Sequence, residues 1–212
     1  MKNIFTFLTL FTFSSLFAID RFVNPNLSAG NGTTLFTTIT SAVNSAVNGD
    51  RIIVASGTYN EAALTIGKSL QIMPQTPSTT INFNANITIA GFPGMKFEIT
   101  GFNLGIYSFN SSQITSGSYA NRAKISIIEC SGVNININNE FYDSNIIKNN
   151  FTNEIIIKYG NIAVNNCNTI KLTDESLTNQ NVNEKNLIVA NTVSSIIIYN
   201  DDFKVVVANN SL

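Results

Sequence analysis

The chain contains no histidine and no tryptophan. Without imidazole it has no ordinary general base near neutrality, no imidazole metal ligand, and no Ser-His or Cys-His nucleophile. Charge is scarce as well: 12 Lys and Arg face 13 Asp and Glu, for a net charge of -1. No basic stripe is left to neutralise phosphates, which excludes nucleic acid as a partner. Cys130 and Cys167 are the only thiols. No later apolar run approaches the ~20 residues of a membrane helix, so no membrane span is expected.

Residues 1–18 carry Lys2, an apolar run from Ile4 to Phe17 interrupted only by Thr and Ser, and the small residue Ala18. That is the pattern of a secretory signal peptide cleaved near Ala18, and it predicts a secreted or cell-surface protein. Ile19 stands where a lipoprotein would need Cys. The polar content is mainly Asn, Thr and Ser and the apolar content mainly Ile, Val and Phe, a composition of strands joined by turns.

After a turn-rich lead-in from Asn24 to Gly32, residues Phe36, Ile39, Val43 and Val47 recur at helical spacing and Asn48-Gly49 supplies a stop. This predicts a short amphipathic helix that caps the first coil of a repeat fold. The runs Asp50-Arg-Ile-Ile-Val-Ala-Ser-Gly-Thr-Tyr59 and Leu64-Thr-Ile-Gly-Lys-Ser-Leu-Gln-Ile72 follow. A helix, then Gly-Asp, an apolar strand, Gly-Thr-Tyr and Ile-x-Lys-Ser-Leu-x-Ile together resemble the opening of the pectate-lyase-like superfamily of right-handed parallel β-helices. The resemblance covers Asn24 to Ile72. It implies an all-β, right-handed parallel β-helix over residues 50–212, preceded by a lead-in and capping helix over 19–49.

Short β runs continue the pattern at Thr80 to Phe83, Asn86 to Ile89, Lys96 to Thr100, Lys124 to Ile128, Val133 to Ile137 and Ile155 to Ile157. In Val133-Asn-Ile-Asn-Ile137 every second side chain is apolar, so one face packs inward while Asn faces water. From here the coils align as strand, edge turn, strand, Asn turn. Asn149, Asn165, Asn191 and Asn209 recur at the end of the second strand. They are assigned to the left-handed turn position that Asn tolerates, with a hydrogen-bonded ladder as a second role. Triplets such as Asn31-Gly-Thr, Asn110-Ser-Ser and Asn150-Phe-Thr are read as turn chemistry rather than glycan sites. The register sets Cys130 and Cys167 two coils apart, ~9.6 Å by strand spacing and beyond the ~7 Å reach of a disulfide. Two free, buried thiols are expected.

One edge gathers charge and aromatics: Tyr142, Asp143, Lys158, Tyr159, Glu184, Lys185, Asp201, Asp202 and Phe203 are the candidate ligand-binding residues. In β-helix proteins that handle polysaccharide such an edge forms the groove, while the plain alternative is a solvated edge whose charges oppose aggregation. Asp201-Asp202 could serve glycoside hydrolysis. The Asn-Thr-Asp, Gly-His-Gly and Arg-Ile-Lys elements of polygalacturonase-like enzymes are missing, however. A lyase reading would use Asp143, Glu175, Asp201 or Asp202 as Ca²⁺ ligands and Lys158 or Lys185 as base.

The expectation is therefore a secreted, non-enzymatic β-helix scaffold with a surface structural, polysaccharide-binding or adhesive role. It needs no cofactor, and Ca²⁺ enters only under the alternative of a divergent or truncated lyase or hydrolase. Scattered Thr disfavours an ice-binding face. Nothing is seen to cap the coil ending at Leu212. This suggests a fragment of a longer repeat protein or end-to-end self-association through that coil.

Overall fold

The computed structural model describes residues 18–173, 185–199 and 204–212. The protein is all-β, a parallel β-helix in which every assigned strand pair is parallel. A ten-stranded sheet forms the first face. A twelve-stranded sheet forms the second and third faces as two stacks, joined through the long strand Asn166–Thr173. A typical coil runs from Tyr142–Ile147 on the first face to Asn150–Phe151 on the second and Glu154–Ile157 on the third.

The inward alternation read from the sequence becomes stacking of like on like. On the first face Ile52, Ile72, Ile99, Ile127, Ile146, Ile162 and Ile188 lie in register, each 0 % exposed. Each contributes about 1.5–3 kcal/mol on burial, and none could be buried without the coils above and below. The third face repeats the device with Ile87, Phe109, Ile135, Ile155 and Ile170.

The first strand, Asp20–Val23, lies in the lead-in and pairs with Arg51–Val54. Its Arg21 occupies the isoleucine column below Ile52. There the guanidinium meets Asp50 at 2.7 Å, with both side chains buried. The helix spans Ile39–Ser45, shorter than the periodicity suggested. Phe36 belongs instead to the strand Leu35–Phe36, and the Thr38 hydroxyl, accepting from Ser41 N–H at 3.2 Å, sets the start. Ile39, Ala42 and Val43 are buried against the coil. Both helix ends are held from the first coil. The Glu61 carboxylate accepts from the N–H groups of Ile39 and Thr40 at 2.7 and 2.8 Å. Lys68 Nζ donates to the carbonyls of Val43, Asn44 and Ala46 at 2.7–2.8 Å. An anion at the amino end and a cation at the carboxyl end both match the helix dipole. Lys68 of the Ile-x-Lys-Ser-Leu-x-Ile element is thus a capping residue.

The turn assignment of the asparagines is corrected. At the corner between first and second faces the left-handed residue is Glu129, Lys148, Val164, Ala190 or Asn209, with φ between 52° and 58°. The asparagines one residue later, Asn149, Asn165, Asn191 and Asn210, point into the corner and form the ladder. Asn149 N–H donates to Asn165 Oδ1 at 2.9 Å, Asn165 N–H to Asn191 Oδ1 at 2.9 Å, and Asn191 N–H to Asn210 Oδ1 at 3.0 Å. Each carboxamide nitrogen also donates to an isoleucine carbonyl of the coil below, as Asn165 does to Ile146 at 2.9 Å. Asn209 therefore supplies the turn and Asn210 the rung.

Cys130 occupies the ladder's lowest polar position, donating its N–H to Asn149 Oδ1 at 2.8 Å. Its thiol contacts Ile128 O at 3.2 Å and Ile99 O at 3.9 Å. Both cysteines are free and buried, as the coil register required. Burial pushes both thiols up to about 12, at Cys130 against hydrogen bonds from the Phe102, Gly101 and Ile128 backbone.

Candidate functional site

Among the described residues, loop length varies most at the edge between third and first faces. Residues 138–141 and 158–159 are tight links, whereas 112–122 form a longer excursion containing the short helical turn Tyr119–Asn121. Gln113 Oε1 accepts from Asn139 Nδ2 at 2.6 Å, and Asn139 Oδ1 accepts from Phe141 N–H at 3.0 Å. The Thr173 hydroxyl donates to Asn138 Oδ1. These bonds fix a cavity of about 710 Å³ lined by Gln113, Thr115, Asn138, Glu140, Lys158 and Tyr199, together with buried Ile114 and Asn139.

Beside it, Arg122 is itself buried and donates from Nε to Glu140 O at 2.9 Å. Its guanidinium lies 3.8 Å from the centroid of the Tyr159 ring. A cation against an aromatic face contributes about 0.5–2 kcal/mol, rising as water is excluded. The stack ties the long loop to the coil of Tyr159.

The expected ligand-binding residues divide. Lys158 lines the cavity. Asp143 is half-buried on the first face, in register with Lys124. Tyr142 is corrected to a structural residue: it is 0 % exposed, so its ring stacks on no ligand. Its hydroxyl accepts from Gly91 N–H at 2.8 Å and lies 3.1 and 3.0 Å from the Ile89 and Ser112 carbonyls. A Cβ at Gly91 would come within 2.6 Å of that oxygen, so only glycine permits the approach. Burial raises the Tyr142 phenol above its ordinary value, against hydrogen bonds from Gly91 and Ser112. Tyr159 is likewise corrected, being 3 % exposed with its face taken by Arg122.

Glu184, Asp201, Asp202 and Phe203 lie outside the described residues, as does Glu175 of the lyase reading, and of Lys185 only the backbone is described. Among the described residues no group of three His, Cys, Asp or Glu side chains comes together as a metal site.

Gln113, Asn138, Glu140 and Tyr199 line the cavity but are not among the candidates expected from the sequence. Their signal is position rather than type, since Gln113, the link holding Asn138 and Glu140, and Tyr199 come from separate coils that the stacking superimposes.

The fold defines the class, an all-β parallel β-helix with one edge carrying a polar cavity. Comparison with family models, with curated proteins and with solved structures finds no match to this chain. No helix among the described residues is long and apolar enough to cross a membrane.

Proposed function

We propose that this protein is an exported β-helical scaffold whose edge cavity binds polysaccharide in a surface structural or adhesive role. The observation that carries the reading is the composition of the cavity wall. Amides of Gln113 and Asn138 and the hydroxyl of Thr115 offer donors and acceptors for sugar hydroxyls. Tyr199, 55 % exposed, offers an aromatic face to the C–H side of a pyranose. Glu140 and Lys158 add one charge of each sign. Ligand sites characteristically combine a concave surface with a few such fixed polar groups.

Two sequence features support the reading. Residues 1–18 have the pattern of an export leader, and Asn24 to Ile72 resemble the pectate-lyase-like superfamily, many of whose members handle polysaccharide. Binding rather than catalysis is favoured because the sequence carries neither histidine nor a catalytic motif of that superfamily.

A glycan array with and without Ca²⁺, followed by calorimetry on the strongest ligand, tests the proposal. Lys158→Ala and Tyr199→Ala should each weaken binding at least ~10-fold, the cost of a lost polar or stacking contact, while Thr58→Ala on the second face leaves it unchanged. Absence of binding to any glycan, or binding indifferent to both cavity variants, overturns it. Cleavage of a polyuronate that disappears in Lys158→Ala replaces it with the lyase reading.

A further inference from the structure

We propose that the chain is cut between Ala18 and Ile19 and that the α-ammonium so released at Ile19 docks on the buried carboxylate of Asp50, completing the cap of the first coil. The inference rests on reading residues 1–18 as an export leader. The cut is a hydrolysis: the Ala18–Ile19 C–N bond breaks, water supplies hydroxyl to the Ala18 carbonyl carbon and a proton to the Ile19 nitrogen, and that amine takes up a further proton at neutral pH.

The geometry points to this bond. Ile19 N lies 2.9 Å from Asp50 Oδ1. Asp50 is 0 % exposed, and its other oxygen accepts from Arg21 Nε at 2.7 Å and Val47 N–H at 2.9 Å. The Ile19 carbonyl in turn accepts from Arg51 N–H at 3.1 Å, so the residue is held on both sides of its α-carbon. Ala18 and Ile19 are themselves exposed residues.

Charge completes the argument. The carboxylate is fully withdrawn from water and faces one cation, Arg21, whose Nη1 is shared with Thr33 O at 2.6 Å and Ser45 Oγ at 3.1 Å. While the leader remains, Oδ1 receives only a neutral amide. After cleavage the same nitrogen, at the same place, is an ammonium, and a charge-assisted hydrogen bond is roughly twice as strong as a neutral one. Processing thereby firms the end of the solenoid that strand Asp20–Val23 and helix Ile39–Ser45 close.

The experiment has two arms. Mass-spectrometric sequencing of the exported protein should give Ile19 as the first residue. The protein beginning at Ile19 is then compared with the same protein acetylated at that nitrogen, each with and without Asp50→Asn. Acetylation should lower Tm by about 3–5 °C in the parent and leave Asp50→Asn unaffected. The Ile19 amine should also be reductively methylated at least ~10-fold more slowly in the parent than in Asp50→Asn, the amine being held as a charge-paired donor. Should Asp50→Asn fail to fold, the comparison of free and acetylated parent still decides. Export with a different first residue, or an acetylated chain as stable as the free one, overturns the pairing alone. Retention in the cell with residues 1–18 intact overturns the processing together with the export reading.

Discussion

Replacing Asn165 by alanine removes the middle rung of the corner ladder. The Asn165 carboxamide accepts from Asn149 N–H and Asn149 Nδ2, both at 2.9 Å, and donates to Ile146 O at 2.9 Å and Asn191 Oδ1 at 3.0 Å. Asn165 is 2 % exposed, so bulk water does not replace these partners. Stranding the Asn149 N–H costs about 1–3 kcal/mol, and each of the other bonds contributes about 0.5–1.5 kcal/mol net. A loss of about 2.5–7.5 kcal/mol follows, a large part of the 5–15 kcal/mol that holds a typical domain together. Asn161→Ala is the matched control, because Asn161 lies one coil segment away on the exposed side of the first face. A change at such a surface position stays within about 0.5 kcal/mol. Urea unfolding followed by circular dichroism measures both. If Asn165→Ala costs under about 1 kcal/mol, or no more than Asn161→Ala, the ladder is not what holds the corner.

Other perturbations follow from the same geometry. Cys130→Asn places a carboxamide where Ile99 O and the Phe102 N–H now meet a thiol, and should stabilise by about 1 kcal/mol in the same urea assay, whereas Cys130→Ala should destabilise. Val164, β-branched and 52 % exposed, holds φ at 58°, a conformation that costs an L-residue about 1–2 kcal/mol. Val164→Gly or Val164→Asn should recover part of it, read as a raised urea midpoint. Asp50 has its carboxyl held below the ordinary carboxylate range: burial alone would raise it, but hydrogen bonds from Val47 and Ile19 and the bond and charge of Arg21 outweigh that. A depressed carboxyl gives stability that is complete above its unfolded value of about 3.9 and is lost as pH falls through the folded one. Thermal melts between pH 6 and 2 should therefore fall more steeply for the parent than for Asp50→Asn.

The coil plan was legible because alternation is local. Val133-Asn-Ile-Asn-Ile137 displays its inner face to any reader, and Ile135 and Ile137 are indeed 0 % exposed. The helix boundary was less so: Phe36 has helical spacing from Ile39, yet pairing of Leu35–Phe36 with Asp20–Val23 is a contact over more than ten residues. Of the two roles expected of the asparagines the ladder holds, whereas the left-handed turn falls to the residue before Asn149, Asn165 and Asn191, because conformational tolerance is a property of one residue and a rung is a property of two coils. Asn165 and Asn191 are 26 residues apart, against 16 between Asn149 and Asn165, so the repeat has no fixed length to betray it. Once that pairing sets the corner, the preceding position must be left-handed whatever stands there, even Val164. Lys158, singled out from charge on a turn, lines the cavity, which fixes its place and not a ligand. Tyr142 and Tyr159 were misassigned because composition alone does not distinguish an aromatic that faces water from one buried beneath Gly91 or Arg122.

The ladder also sets the direction in which the solenoid is strong. Its bonds run along the long axis, as do those of every sheet, so a pull on that axis passes in full through each layer of hydrogen bonds, and the weakest layer parts first. Tension across the axis is borne by covalent chain. A filament built this way would yield to stretching by peeling turn after turn in small, similar steps, and would hold firm against sideways shear.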